Sequence, residues 1–177
     1  MDFLIDKMMI DSGYRTRLLQ SILNIEHYNQ AYLDILGPLS QDELDTVLCN
    51  NVYHRSESWI VKHILDLGAN PEREVAPLTN FDTNPTREGK LYHTIFDEFI
   101  NYAHPENLEL VLKKGVKIDP KAYSISEELM SGYGPDYLKK IKILFKYHDP
   151  RDLISCFRGE SGRTSRPEVE QLFSKYT

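Results

Sequence analysis

The stretch from Trp59 to Glu72 (Trp-Ile-Val-Lys-His-Ile-Leu-Asp-Leu-Gly-Ala-Asn-Pro-Glu) limits what this chain can fold into more than any other. Its apolar residues Ile60, Val61, Ile64, Leu65 and Leu67 fall along one stripe of a helix. Gly68 can adopt the left-handed conformation that closes a helix, while Pro71 cannot continue one and holds Asn70 extended. A helix or helical hairpin with such a stripe cannot hide its apolar face alone, so the rest of the chain must supply stacked neighbours.

Those neighbours are also helical. Asp11 and Ser12 are candidate caps for a helix whose stripe is Leu18, Leu19, Ile22, Leu23 and Ile25, and Tyr32 to Leu36 adds a turn or two before Gly37-Pro38. Ser40 with Glu43 forms a capping-box pattern that opens a helix through Leu44, Val47 and Leu48. Ser56 or Ser58 then caps the stretch described above. Arg73 to Lys90, with two prolines, a glycine and several threonines and asparagines, is predicted as a loop. Helices follow from Tyr92 to a break at His104-Pro105, from Glu106 to Lys114 with Gly115 closing it, and over 123–131. Asp136 caps another that runs to Tyr147 and stops at Asp149-Pro150. A short helix near Leu153 to Phe157, a polar loop and a last helix from Pro167 complete the chain. No alternating run long enough for a strand is present, so the predicted class is all-α.

An internal repeat runs through these helices. The pattern of Val61, Ile64 and Leu65 recurs as Leu108, Val111 and Leu112, as Ile141, Leu144 and Phe145, and as Val169, Leu172 and Phe173, with a weaker copy at Tyr32, Ile35 and Leu36. The last residues of these triplets are 36, 65, 112, 145 and 173, which gives steps of 29, 47, 33 and 28. A step of 33 is the ankyrin period, and 47 reads as one repeat with an insertion of about 14 residues. The segment ending Ile-Leu-Asp-Leu-Gly-Ala resembles the second half of an ankyrin repeat, and Lys90-Leu-Tyr-His93 is the nearest echo of the Thr-Pro-Leu-His that opens the family's first helix. The chain departs from the family in having only five alanines, in placing Ile95-Phe96 where small residues are preferred, and in lacking the usual hairpin sequence. The resemblance implies an α-solenoid of stacked helical hairpins, about four degenerate ankyrin repeats over residues 40–177, with an N-terminal helical cap over 1–39 and an insertion loop at 73–90. Leu65 and Leu112 would sit at its seams, and His93 would bond between neighbouring repeats. Another helical-hairpin solenoid and a non-repetitive bundle are the alternatives.

Composition narrows function by exclusion. A hydrophobic fraction of 41% and a charged fraction of 27% describe a chain that folds, and 177 residues fit one domain. The 27 acidic against 21 basic residues leave a net charge of -6, which weighs against nucleic acid and anionic membranes as partners. No apolar run approaches the roughly 18 residues of a membrane span, and the N-terminus has no signal-peptide pattern. Cys49 and Cys156 are too few for a disulfide scaffold and fit no metal spacing, so a reduced cytoplasmic setting is expected.

Chemistry-bearing patterns are sparse. Cys49 with His54 has no fixed geometry for a thiol nucleophile, and a helical cysteine is usually a small core residue. Arg158-Gly-Glu-Ser-Gly-Arg163 lacks the lysine and the strand-to-helix setting of a phosphate loop. No catalytic residue, cofactor or metal is therefore expected. What remains is recognition. The ankyrin resemblance implies binding through loop tips and exposed positions of first helices, which points to Phe81, Asp82 and Arg87 in the insertion and to Thr94, Asp97 and Glu98 on the helix that follows. Phe81 is either tucked onto its own repeat or an anchor for a partner, and Asp97 with Glu98 would form a solvated acidic patch. The expected function is a protein–protein interaction module, not an enzyme, whose partner is another protein. The style of the repeats suggests a viral or bacterial factor that binds and modulates a host protein in the host cytoplasm. The rival classes are a small helical enzyme or nucleotide-binding protein and a structural subunit of an assembly. Oligomeric state is not encoded legibly.

Overall fold

The computed structural model describes residues 12–23, 37–53, 56–75, 93–118, 136–158 and 167–177. Among these lie eight helices and two very short strands: α1 (Ser12–Leu23), α2 (Gln41–Tyr53), α3 (Ser58–Asp66), β1 (Glu74–Val75), β2 (His93–Thr94), α4 (Ile95–Tyr102), α5 (Pro105–Lys113), α6 (Tyr137–Tyr147), α7 (Pro150–Arg158) and α8 (Pro167–Phe173). The expected helical turns at 32–36 and 123–131 lie outside the described residues. The all-α class holds, with one correction. Glu74 pairs with Thr94 and Val75 with His93 in an antiparallel ladder, a strand pair too short to leave any alternation in the sequence.

Most helix boundaries follow from local chemistry. Ser40 and Glu43 do form the reciprocal box: the Glu43 amide donates to Ser40 Oγ at 3.2 Å, and Glu43 Oε2 accepts from the Ser40 amide at 2.8 Å. The cap of α3 is corrected, because Glu57 occupies that position and makes no side-chain bond. Asp136 holds the N-cap place of α6 but in a helical conformation and without a capping bond. Its carboxylate pairs instead with Lys139 at 3.6 Å. Pro150 does not only stop α6; it also opens α7, where a missing amide costs nothing. Gly68 (φ 105°) and Gly115 (φ 90°) end α3 and α5 in the left-handed region, where a side chain would strain the backbone.

The helices pack in two layers. α2 lies between α1 and α4 in one layer, and α5 lies between α3 and α6 in the other, while α2 crosses over to α3 and α4 to α5. One apolar core runs from Leu19 of α1 to Phe173 of α8. Leu65 and Leu112 are buried within it. α4 is enclosed almost all round: every residue from Ile95 to Ile100 is buried. Its final carbonyls, which no helical amide can reach, are met from the other layer. The buried Lys140 of α6 donates to Ile100 O at 2.8 Å and to Asn101 O at 3.0 Å. At the far end α8 closes on α6 through the ring pair Phe145–Phe173, with centroids 6.0 Å apart.

α1 is held to α2 by polar pairs as well as by Leu19 and Ile22. The Gln20 and Asn51 amides bond reciprocally at 3.3 and 3.0 Å, and Arg15 Nε donates to Glu43 Oε1 at 2.6 Å. Burial pushes the Glu43 carboxyl up, but Arg15 and the Ser40 donors together outweigh it and hold it below the usual carboxylate range. A depressed folded-state pKa gives stability that is present above the unfolded value and is lost as pH falls through the folded one. The melting temperature should therefore drop more steeply on acidification from pH 5 to pH 3 in the parent than in Glu43→Gln, and equal slopes would show that this pair carries no linkage.

Candidate functional site

The base of the 76–92 segment is the most elaborately fixed surface feature among the described residues. Three devices hold its two ends. The first is the turn after α3, where Gly68 reverses the chain and Ala69 bonds back to Ile64 O at 3.3 Å. The second is Asp45, a carboxylate of α2 that is 2% exposed. Its Oδ1 accepts the Asn70 amide at 2.6 Å and Gln41 Nε2 at 2.7 Å, and Gln41 Nε2 also donates to Gly68 O at 3.0 Å. Arg73, the last residue before β1, pairs with Asp42 and lies 3.6 Å from Asp45 Oδ2. The third is the β1–β2 ladder, extended by Ile95 donating to Arg73 O at 3.0 Å and Phe96 donating to Pro71 O at 2.7 Å. The exit and return of the segment are thereby tied to each other and to α2.

The returning strand runs straight into α4 through a second capping box. Thr94 Oγ1 accepts the Asp97 amide at 3.3 Å, and Asp97 Oδ2 accepts from the Thr94 amide at 2.7 Å and its hydroxyl at 2.8 Å. An aspartate serves where Glu or Gln is usual.

This geometry corrects part of the expected contact surface. Asp97 is 7% exposed and spent on the cap, and Glu98 is 2% exposed, so they form no solvated acidic patch. The reason is tertiary: α4 is sandwiched between α2 and α5, leaving its first turn no solvent side. Thr94 is half-buried and serves the same box. Phe81, Asp82 and Arg87 lie outside the described residues, as does the bond expected of the His93 side chain. What the sequence reading missed was Asp45 and Arg73. Their signal was faint, because an acidic residue on a helix and an arginine beside a loop have no fixed spacing to pair them.

Cys49 of α2 is a half-buried free cysteine. Burial, and the Glu98 carboxylate after it, pushes the Cys49 thiol up to about 11, the reverse of the shift that makes a thiol a nucleophile. A shallow open cleft of about 280 Å³ lies between the turn after α3 and the turn after α5, lined by Leu65, Ala69, Pro71, Glu72, Lys114 and Val116. Its rim is polar. Lys114 bonds Asp66 at 2.7 Å, and the Lys117 amide donates to Glu72 Oε1 at 3.3 Å. With Lys62 adding a second bond, the Asp66 carboxyl is held down at about 2, although an exposed pair of this kind adds little stability in salt.

No family model, curated protein or solved structure matches this chain.

Proposed function

We propose that the chain is a protein-interaction module: a short stack of degenerate, ankyrin-like helical hairpins that carries residues 76–92 between fixed ends for contact with a partner protein. The observation that carries this reading is the clamp at the base of that segment, in which Asp45, Arg73 and the β1–β2 ladder set both ends. Fixing the ends of a recognition segment lowers the ordering cost of binding, so more of the contact energy appears as affinity. The ankyrin-like part is supported by the layering of α2 with α4 and of α3 with α5 and α6. It is supported too by Gly68 and Gly115, two left-handed glycines that close successive second helices. The alanine-poor, irregular repeats favour a host-directed factor of a virus or intracellular bacterium, which makes a host cytosolic extract the place to seek the partner.

The test exchanges residues 76–92 for a short Gly-Ser link and, separately, introduces Phe81→Ala with Arg87→Glu. A partner recovered and identified with the parent should bind the exchanged protein at least about tenfold more weakly, while helical circular dichroism and the melting temperature stay at parental values. A partner that binds all three proteins equally would remove the segment from the interface and with it this reading.

A further inference from the structure

The outer face of α6 has a second feature suited to recognition, separate from the 76–92 segment. Lys139, Lys142 and Lys146 lie three and four residues apart along it, all three are exposed, and α6 contains no acidic residue. Lys139 and Lys146 keep 67% and 60% of their side-chain surface open. Two of the three meet one carboxylate each, Lys139 with Asp136 at 3.6 Å and Lys146 with Glu109 at 3.2 Å, while no ion pair is seen at Lys142 among the described residues. Such exposed pairs contribute little. Like charges at these spacings disfavour a helix, so this face does not serve the fold. The helix is instead held by Ile141, Leu144 and Phe145 on its opposite side.

We propose that the α6 outer face docks a short acidic helix of a protein partner, with carboxylates at three- and four-residue spacing set against the three ammonium groups. The stripe spans about 10 Å, seven residues of helical rise. Its surroundings decide the occupant. Asp136 stands before it and the exposed Asp149 and Asp152 follow it, in a chain whose net charge is -6. A long polyanion such as nucleic acid would overrun the stripe onto these carboxylates and be repelled, whereas a short acidic segment fits within it. This face does not depend on the 76–92 reading and can hold or fail without it.

The probe is a fluorescein-labelled helical peptide bearing three glutamates at that spacing, with a glutamine version as its control. Fluorescence anisotropy should show the glutamate peptide binding the parent, more weakly as salt rises, and the glutamine peptide not binding. Lys139→Gln with Lys142→Gln and Lys146→Gln should weaken binding at least about tenfold. The matched triple Lys113→Gln, Lys117→Gln and Lys175→Gln changes net charge equally and should stay within about threefold. Should the α6 triple lose its helical signal, Lys142→Gln alone, which breaks no observed ion pair, should still weaken binding about threefold. Equal losses in the two triples, no discrimination between the peptides, or displacement of the peptide by a single-stranded RNA or by phosphatidylserine vesicles at lower charge concentration would each overturn the proposal.

Discussion

Phe99→Ala should lower the unfolding free energy by about 3–5 kcal/mol, a large part of the roughly 5–15 kcal/mol that holds a typical domain. Phe99 is fully buried and among the largest side chains in the core. It belongs to α4, which packs on α2 in its own layer and on α5 in the other. A cavity there is bordered by helices that also hold their own neighbours, so the site cannot collapse to refill it. α4 meets helices of both layers, so a break there should loosen the packing on either side. Denaturant titration of the variant should show an earlier midpoint, and a shallower or biphasic transition if the two sides separate. A loss below about 1 kcal/mol would mean that the core relaxes around the cavity, and that α4 is not the keystone its burial indicates.

Asp45→Ala should cost about 2–3 kcal/mol, in the range of lost hydrogen bonds to a charged group, and it should also act at a distance. The carboxylate that accepts the Asn70 amide and Gln41 and faces Arg73 ties the exit of the 76–92 segment to α2. Without it, hydrogen exchange at the Asn70 amide should rise well above exchange in the core of α2, and affinity for a partner that reads the segment should fall. Asp45→Asn keeps an acceptor for the amide but loses the charge facing Arg73, and should fall between parent and Asp45→Ala. If exchange at Asn70 stays unchanged in Asp45→Ala, the β1–β2 ladder alone holds the segment and Asp45 serves only the stability of α2.

The two effects lie at different depths of legibility. Phe99 falls with Ile95, Phe96 and Ile100 at helical spacing, so its burial follows from a local pattern. The role of Asp45 does not, because the partners through which it holds the segment, Asn70 and Arg73, are 25 and 28 positions away in the sequence and become neighbours only when the turn after α3 folds back onto α2. The contact surface divides in the same way. The helix after the segment and its acidic pair were readable, although Thr94 was read as an exposed contact position and not as the cap. Whether Asp97 and Glu98 face water depends on what stands around α4. A helix seen alone has a polar side. Between α2 and α5 it has almost none, and its carboxylates become a cap and a buried group.

By itself the sequence determined most of the described helices, their apolar stripes and the glycines that end α3 and α5. These are local matters, governed by backbone sterics and by the burial of one face at a helical period, and the residues concerned lie within a few positions of one another. Tertiary structure alone decided which helices share a layer, the two-residue ladder at the base of the 76–92 segment and the Lys140 bonds that complete α4. Each depends on groups distant along the chain meeting at hydrogen-bond range, or on the removal of water from a side chain, and neither leaves a period in the sequence to be read.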